Sequence, residues 1–204
     1  MMKFSRRLFT AAFGALALAF AIPASADIVS TEEALTELVI GKEDAPVEVL
    51  EYASLSCPAC KRFHGEVYPK LKEEYIETGK IKFIFRDFPT NTPGLAAAMI
   101  ARCAGPTRHA GMVDMFFDTQ GTWGRAENPL QSLTMTARMA GLGPNDVDTC
   151  VKNTELYNAI NARAEKAYKE EGVNATPTIF VAGKKLEHNS YEAVKEAIEK
   201  ALGN

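Results

Sequence analysis

Cys57 and Cys60 stand three positions apart with Pro58 and Ala59 between them. They follow the strand-like run Val47-Glu48-Val49-Leu50-Glu51-Tyr52 and open a helix-like run. Two thiols at that spacing can close a small disulfide ring or hold a metal. A cysteine just ahead of a helix faces unpaired backbone N–H groups and the positive end of the helix dipole, which stabilise a thiolate and not a thiol. Cysteines in such places titrate at roughly 3.5–7.5 instead of about 8.5. Cys57 is therefore the candidate nucleophile. Cys60, inside the first turn and expected to be more buried, is the candidate resolving thiol. A metal site is the alternative: Cys57, Cys60 and His64, at spacings of three and four, could supply three ligands from one helix face, as a metal-binding chaperone would need. No fourth ligand is evident nearby, and the plainer reading of His64 is a partly exposed helix residue.

The elements that must position this pair can be read from the hydrophobic pattern. Ser30-Thr31-Glu32-Glu33 is a capping box that predicts a short helix to about Leu38. Val47–Tyr52 reads as a buried strand. The helix beginning at Pro58 carries Cys60, Phe63, Val67, Leu71 and Tyr75 as a core-facing stripe, and Pro69 predicts a kink in it. Residues 81–85 form a second strand. From about Thr92 to Gly172 the chain is rich in Ala and Met, broken by glycines and prolines, and predicts four or five helices, the last over about 155–171. Strand character returns at Thr178–Val181. Asn189 and Glu192 then read as a capping box for a closing helix with Tyr191, Val194, Ile198 and Leu202 on one face. This order describes an α/β sheet domain interrupted by a helical insertion.

The chain of 204 residues is 47% hydrophobic, which suits one globular unit. Lys3, Arg6 and Arg7, the apolar run from Leu8 to Ile22 and the small-x-small end at Pro23-Ala24-Ser25-Ala26 read as an export signal over residues 1–26, with an uncleaved anchor as the alternative. Ser5-Arg6-Arg7-Leu8-Phe9 leaves the general and the twin-arginine routes both open. Without that segment the charge is about −6, so no basic stripe for nucleic acid and no polybasic membrane patch remains. An oxidising compartment such as the periplasm permits disulfides. With Cys57 and Cys60 paired, Cys103 and Cys150 are left, 47 positions apart. A bridge there would be structural, worth roughly 4 kcal/mol by loop closure; two separate buried thiols are the alternative.

Glu51-Tyr52-Ala53-Ser54-Leu55-Ser56-Cys57-Pro58-Ala59-Cys60 resembles the active-site segment of DsbA-type thiol:disulfide oxidoreductases of the thioredoxin-fold superfamily. Gly172-Val173-Asn174-Ala175-Thr176-Pro177-Thr178-Ile179-Phe180-Val181 resembles their cis-proline loop. The resemblance implies a thioredoxin fold over residues 27–91 and 173–204, with a helical insertion over 92–172 between the second and third core strands. It implies a redox pair at Cys57 and Cys60, a site lined by Pro177 and the Thr176 backbone, and a buried proton-relaying acid at Glu51. Period-2 alternation does not separate a buried Glu51 from an exposed one, because the two faces of the strand are equally mixed. No cofactor is implied. Partners would be exported proteins with free thiols and a membrane redox partner, and a short N-terminal region favours a monomeric oxidase over a dimeric isomerase. Thr176 pulls toward isomerase or reductase, since strong oxidases tend to carry Val there. Strong oxidases also carry His where this chain has Ala59, so the expected potential lies between those of thioredoxin and DsbA, at about −270 and −120 mV. Met99, Met112, Met115, Met135 and Met139 read as core filler rather than a copper set. Trp123 reads as a loop residue, and His109 and His188 carry no discernible chemistry.

Overall fold

The computed structural model describes residues 28–204. The export-signal expectation falls on residues 1–26 and lies outside them. Five strands form one sheet: β1 (Leu38–Ile40), β2 (Val47–Ala53), β3 (Ile81–Asp87), β4 (Thr178–Val181) and β5 (Lys184–Lys185), in the spatial order β1-β3-β2-β4-β5. β2 runs parallel to β3 and antiparallel to β4. The central place of β2 explains why its sequence does not alternate. Val49 and Ala53 lie in the main core, while Leu50 and Tyr52 pack with Ile84, Ala167 and Val173 on the other side. A strand covered on both faces reads as a nearly continuous apolar run.

Helix α1 (Thr31–Ala34) is capped as expected, Ser30 Oγ accepting from Glu33 N at 3.2 Å. It stops four residues short of Leu38. Leu38-Val39-Ile40 instead pairs antiparallel with Phe85, Ile84 and Phe83 as β1. Closing the free edge of β3 with three apolar, mostly β-branched residues outweighs one more helical turn. Helix α2 (Pro58–Glu66) gives way to α3 (Tyr68–Leu71) and a wide turn at Lys72–Ile76. Pro69 supplies no N–H to the ladder and crowds the preceding turn, so the break falls at Val67, just ahead of it. The expected stripe is inward: Cys60, Phe63, Leu71 and Tyr75 are all buried.

Between β3 and β4 lie α4 (Thr92–Cys103), α5 (Pro106–Asp118), α6 (Gln120–Trp123), α7 (Pro129–Met139), α8 (Pro144–Lys152) and α9 (Thr154–Glu170), six helical segments among the described residues where four or five were expected. The additional one is α6, so Trp123 is not a loop residue. It is fully buried and its indole N–H donates to Phe116 O at 2.8 Å. Cys103 at the end of α4 is bonded to Cys150 in α8, with Cα atoms 6.0 Å apart. Met99 and Met112 fill the core, but Met135 and Met139 are 67% and 75% exposed, on the outer side of α7. A buried ion pair joins the layers: Arg102 of α4 meets Asp87 of β3 at 2.5 Å and also donates to the carbonyls of Ala34 and Thr36. The closing helix α10 (Tyr191–Leu202) buries Val194 and Ile198. Its cap is Ser190, accepting from Ala193 N, and not Asn189; the helix begins one residue later than the Asn189–Glu192 spacing implied.

Candidate functional site

The site forms where two central strands end. β2 leaves the sheet at Ala53, and β4 enters it antiparallel with Thr178 opposite Tyr52. The loop after β2 and the loop before β4 therefore meet at one end of the sheet. The first loop turns tightly, Cys57 N donating to Ser54 O at 2.9 Å, and delivers Cys57 to the N-cap of α2 with Pro58 at the first helical position. The second presents Thr176 and Pro177, joined by a cis peptide. Cys57 Sγ lies 3.3 Å from Thr176 O.

Cys57 and Cys60 are free thiols in this structure, Cys57 part-exposed and Cys60 buried. Their surroundings drive their titrations apart. The Cys60 side chain, hydrogen-bonded to Cys57, is the largest influence on Cys57. With the Thr176 hydroxyl and the backbone N–H groups of Cys60 and Ala59 it outweighs partial burial and pulls the Cys57 thiol down to about 5. Cys60 moves the opposite way. Burial pushes its thiol well above the ordinary range, and the Cys57 hydrogen bond and the Glu51 charge add to that. One sulfur is arranged to be a thiolate at neutral pH and its neighbour to keep its proton.

Glu51 is wholly buried, and the exposed-strand alternative is excluded. Its side chain points beneath α2, where Oε2 lies 2.8 Å from His64 Nε2. His64 is an intermediate, partly exposed helix residue as a whole, but its side chain is turned inward and only 6% exposed. Its ring stacks on Phe117 of α5 at 4.3 Å and on Tyr68 of α3 at 5.0 Å. Its bonding nitrogen is turned to a carboxylate and its faces are closed by rings, so it is not presented to a metal beside the two thiols. Among the described residues no group of three or more His, Cys, Asp or Glu side chains could hold a metal ion.

The helical insertion also enters the site, through Phe117 over His64 and through Gln120. The Gln120 carboxamide donates to Leu55 O at 2.7 Å and to Cys57 O at 3.0 Å. Gln120 was not singled out from the sequence. Its signal is there: Val113, Phe116, Phe117 and Gln120 continue one inward stripe, and a polar residue on a buried stripe needs partners. Near the other side of the loop, Ser54 and Ser56 hydroxyls lie 2.9 Å apart and the N-terminus of α4 approaches closely. A Cβ on Gly94 would sit 2.5 Å from Ser56 Oγ, so a larger residue there would require the Ser56 hydroxyl to turn away. Cys103 and Cys150 belong to the insertion's own core, His109 is buried in α5, and His188 lines a groove with Asn174, Pro177 and Leu186 beside the Thr176 loop.

Comparison with known proteins agrees with this geometry. The thioredoxin family model matches residues 33–200. A relative in Rickettsia bellii, provisionally named a protein-disulfide oxidoreductase, is 29% identical over 167 residues, covering 81% of this chain and 64% of that protein. The chain thus spans a little under two thirds of that rickettsial relative's length. Disulfide bond formation protein D of Bacillus subtilis is 29% identical over 176 residues, covering 80% of this chain and 76% of that one. The crystal structure of alpha-DsbA1 from Wolbachia pipientis superposes with a TM-score of 0.76 at 28% identity, covering 83% of this chain and 92% of the other. With the dithiol at the head of α2, Thr176-Pro177 against it and six helices inserted between β3 and β4, the chain belongs to the thioredoxin family and has its DsbA-type architecture.

Proposed function

We propose that the protein is an exported thiol-disulfide oxidoreductase that introduces disulfides into exported proteins. The observation that carries this reading is the opposed pair of sulfurs: Cys57, drawn down to about 5 beside Thr176, and Cys60, buried and pushed up. In the oxidised enzyme a substrate thiolate attacks Cys57 Sγ, the Cys57–Cys60 bond breaks, and Cys60 leaves and takes up a proton. Glu51, whose charge bears on Cys60 from beneath α2, is positioned to handle that proton. A second substrate thiolate attacks the substrate sulfur of the mixed disulfide. Cys57 departs as a stabilised thiolate, the substrate gains a disulfide and the enzyme holds the two electrons. A partner disulfide, assigned here to a membrane redox protein, then takes them.

Stabilising the reduced enzyme's thiolate makes its disulfide the stronger oxidant. That favours net oxidation over isomerase or reductase work. The groove that Pro177 shares with Asn174, Leu186 and His188 offers an extended substrate a place beside the cis-proline loop. Equilibration of the purified protein with glutathione tests the reading. A Cys57–Cys60 potential clearly above thioredoxin's, at about −270 mV, is expected, and one at or below it removes the oxidase assignment. In cells, thiol alkylation should find the pair mostly oxidised, and Cys60→Ser should accumulate mixed disulfides through Cys57.

A further inference from the structure

We propose that Gln120 is a positioning residue for the dithiol: its carboxamide, supplied by the helical insertion, holds the carbonyls of Leu55 and Cys57 and so fixes the mouth of α2 around the Cys57 sulfur. The inference rests on the reading of Cys57 and Cys60 as the reacting pair.

The chain arranges Gln120 with some care. Helix α5 ends at Asp118, where Thr119 turns with φ −89° and ψ 4°, and its hydroxyl donates back to Met115 O at 2.7 Å. The short α6 then starts with Gln120 directed into the protein, 8% exposed. Trp123 pins α6 to α5 through Phe116 O. Gly124 allows the turn to close, since a Cβ there would lie 2.7 Å from Gln120 O. Lys61 of α2 reaches Asp118 O at 3.0 Å, so α2 and the α5–α6 corner are tied at two points.

Both contacts of the carboxamide are with carbonyl oxygens, so its NH2 must face the loop. The Cys57 carbonyl thus receives two donors, Gln120 Nε2 and Lys61 N at 3.1 Å. The N-cap residue of α2 is held from outside as well as from within its helix. The thiolate depends on backbone N–H groups of Ala59 and Cys60 aimed at one sulfur position, and that aim is lost if the N-cap backbone can rotate. No other element donates a side chain to the Leu55 or Cys57 carbonyl among the hydrogen bonds of the described residues. The insertion is therefore not only a lid beside the thioredoxin sheet; through Gln120 it bears on the reactivity of Cys57.

The test compares wild type, Gln120→Leu, which keeps the bulk and removes both donors, and Gln120→Glu. Three readouts are taken: the pH dependence of Cys57 alkylation, the equilibrium with glutathione, and thermal unfolding. With Gln120→Leu the alkylation midpoint should rise by about one pH unit and the glutathione equilibrium should move about tenfold toward the enzyme's disulfide, the size of one lost hydrogen-bond set. With Gln120→Glu a carboxylate faces the two carbonyls and adds a negative charge near Cys57, so the midpoint should rise further than in Gln120→Leu. A purely structural Gln120 would lower the unfolding temperature and leave both the midpoint and the equilibrium at wild-type values; that result overturns the proposal. If Gln120→Leu does not fold, Gln120→Met, which also removes both donors, is read in the same way, and a wild-type midpoint overturns the proposal. Failure of the underlying reading looks different: the wild-type pair would then not exchange with glutathione at all.

Discussion

Glu51 Oε2 and His64 Nε2 lie 2.8 Å apart inside the protein, a carboxylate from the central strand and an imidazole from the active-site helix, with Phe117 and Tyr68 closing the imidazole's faces. Glu51 Oε1 has no hydrogen-bond partner among the described residues. The Glu51 charge bears on Cys60, and the pair couples the central strand to the redox helix.

His64→Leu should therefore strand a wholly buried carboxyl group. The expected cost is about 1–3 kcal/mol in urea unfolding, the usual penalty for a buried group left unsatisfied. The double variant Glu51→Leu/His64→Leu should recover part of that loss, because an apolar pair leaves nothing unpaired. A double variant no more stable than the single one would show that the two side chains do not act together. Glu51→Gln should slow the step in which Cys60 takes up or gives up its proton, read as slower resolution of a mixed disulfide, with little change in Cys57 alkylation.

Cys57 should react with iodoacetamide along a titration curve centred near pH 5. The folded thiol titrates below its unfolded value of about 8.5, so the reduced protein holds the full stabilisation above that value and loses it as pH falls through about 5. The oxidised protein has no such titration. The stability advantage of the reduced form should narrow steadily between pH 8 and pH 5. A gap that is independent of pH would contradict the assignment of the thiolate to Cys57.

Ala59 leaves the position next to Cys60 without a side-chain donor, its backbone N–H alone reaching Cys57. Ala59→His should add a hydrogen bond or charge to the Cys57 thiolate and lower its titration further. The potential should rise from its wild-type value, expected between those of thioredoxin and DsbA at about −270 and −120 mV, toward the upper figure. Glutathione equilibration reads the change directly, and a fall in potential would contradict it.

The Cys103–Cys150 bridge should act on stability and not on redox chemistry. It closes a separation of 47 residues, for which loop-closure arithmetic gives roughly 4 kcal/mol. Cys103→Ala/Cys150→Ala should lose an amount of that order in denaturant unfolding. The glutathione equilibrium of Cys57–Cys60 should stay within about twofold, because the bridge sits at the far end of α4, about 13 Å along the helix from Gly94. A large shift in that equilibrium would assign the bridge a redox role.

Much of this site is legible in the chain because its parts are local. Pro58 announces the start of α2, the stripe from Cys60 to Tyr75 announces its inward face, and Thr176-Pro177 stands just before an apolar strand. What the sequence leaves open depends on contacts across the chain. Glu51 sits in a strand buried on both sides, where alternation carries no information. His64 has the spacing of a surface residue until Phe117, 53 positions later, is laid over its ring. The turn from α1 into β1 depends on the free edge of β3, which no local pattern near Leu38 reveals. Met135 and Met139 have a core residue's chemistry at surface positions, and the structure offers no reason for it.

The contact between Cys57 and Thr176 spans 119 positions of chain. The active-site helix is local in the chain, but β4 lies between β2 and β5 in the sheet and comes from the last thirty residues. Until it is inserted, β2 has an open edge and Cys57 lacks the backbone that faces it. The dithiol therefore draws its local donors from α2 itself, but gains its Thr176 contact only when β4 has joined the sheet.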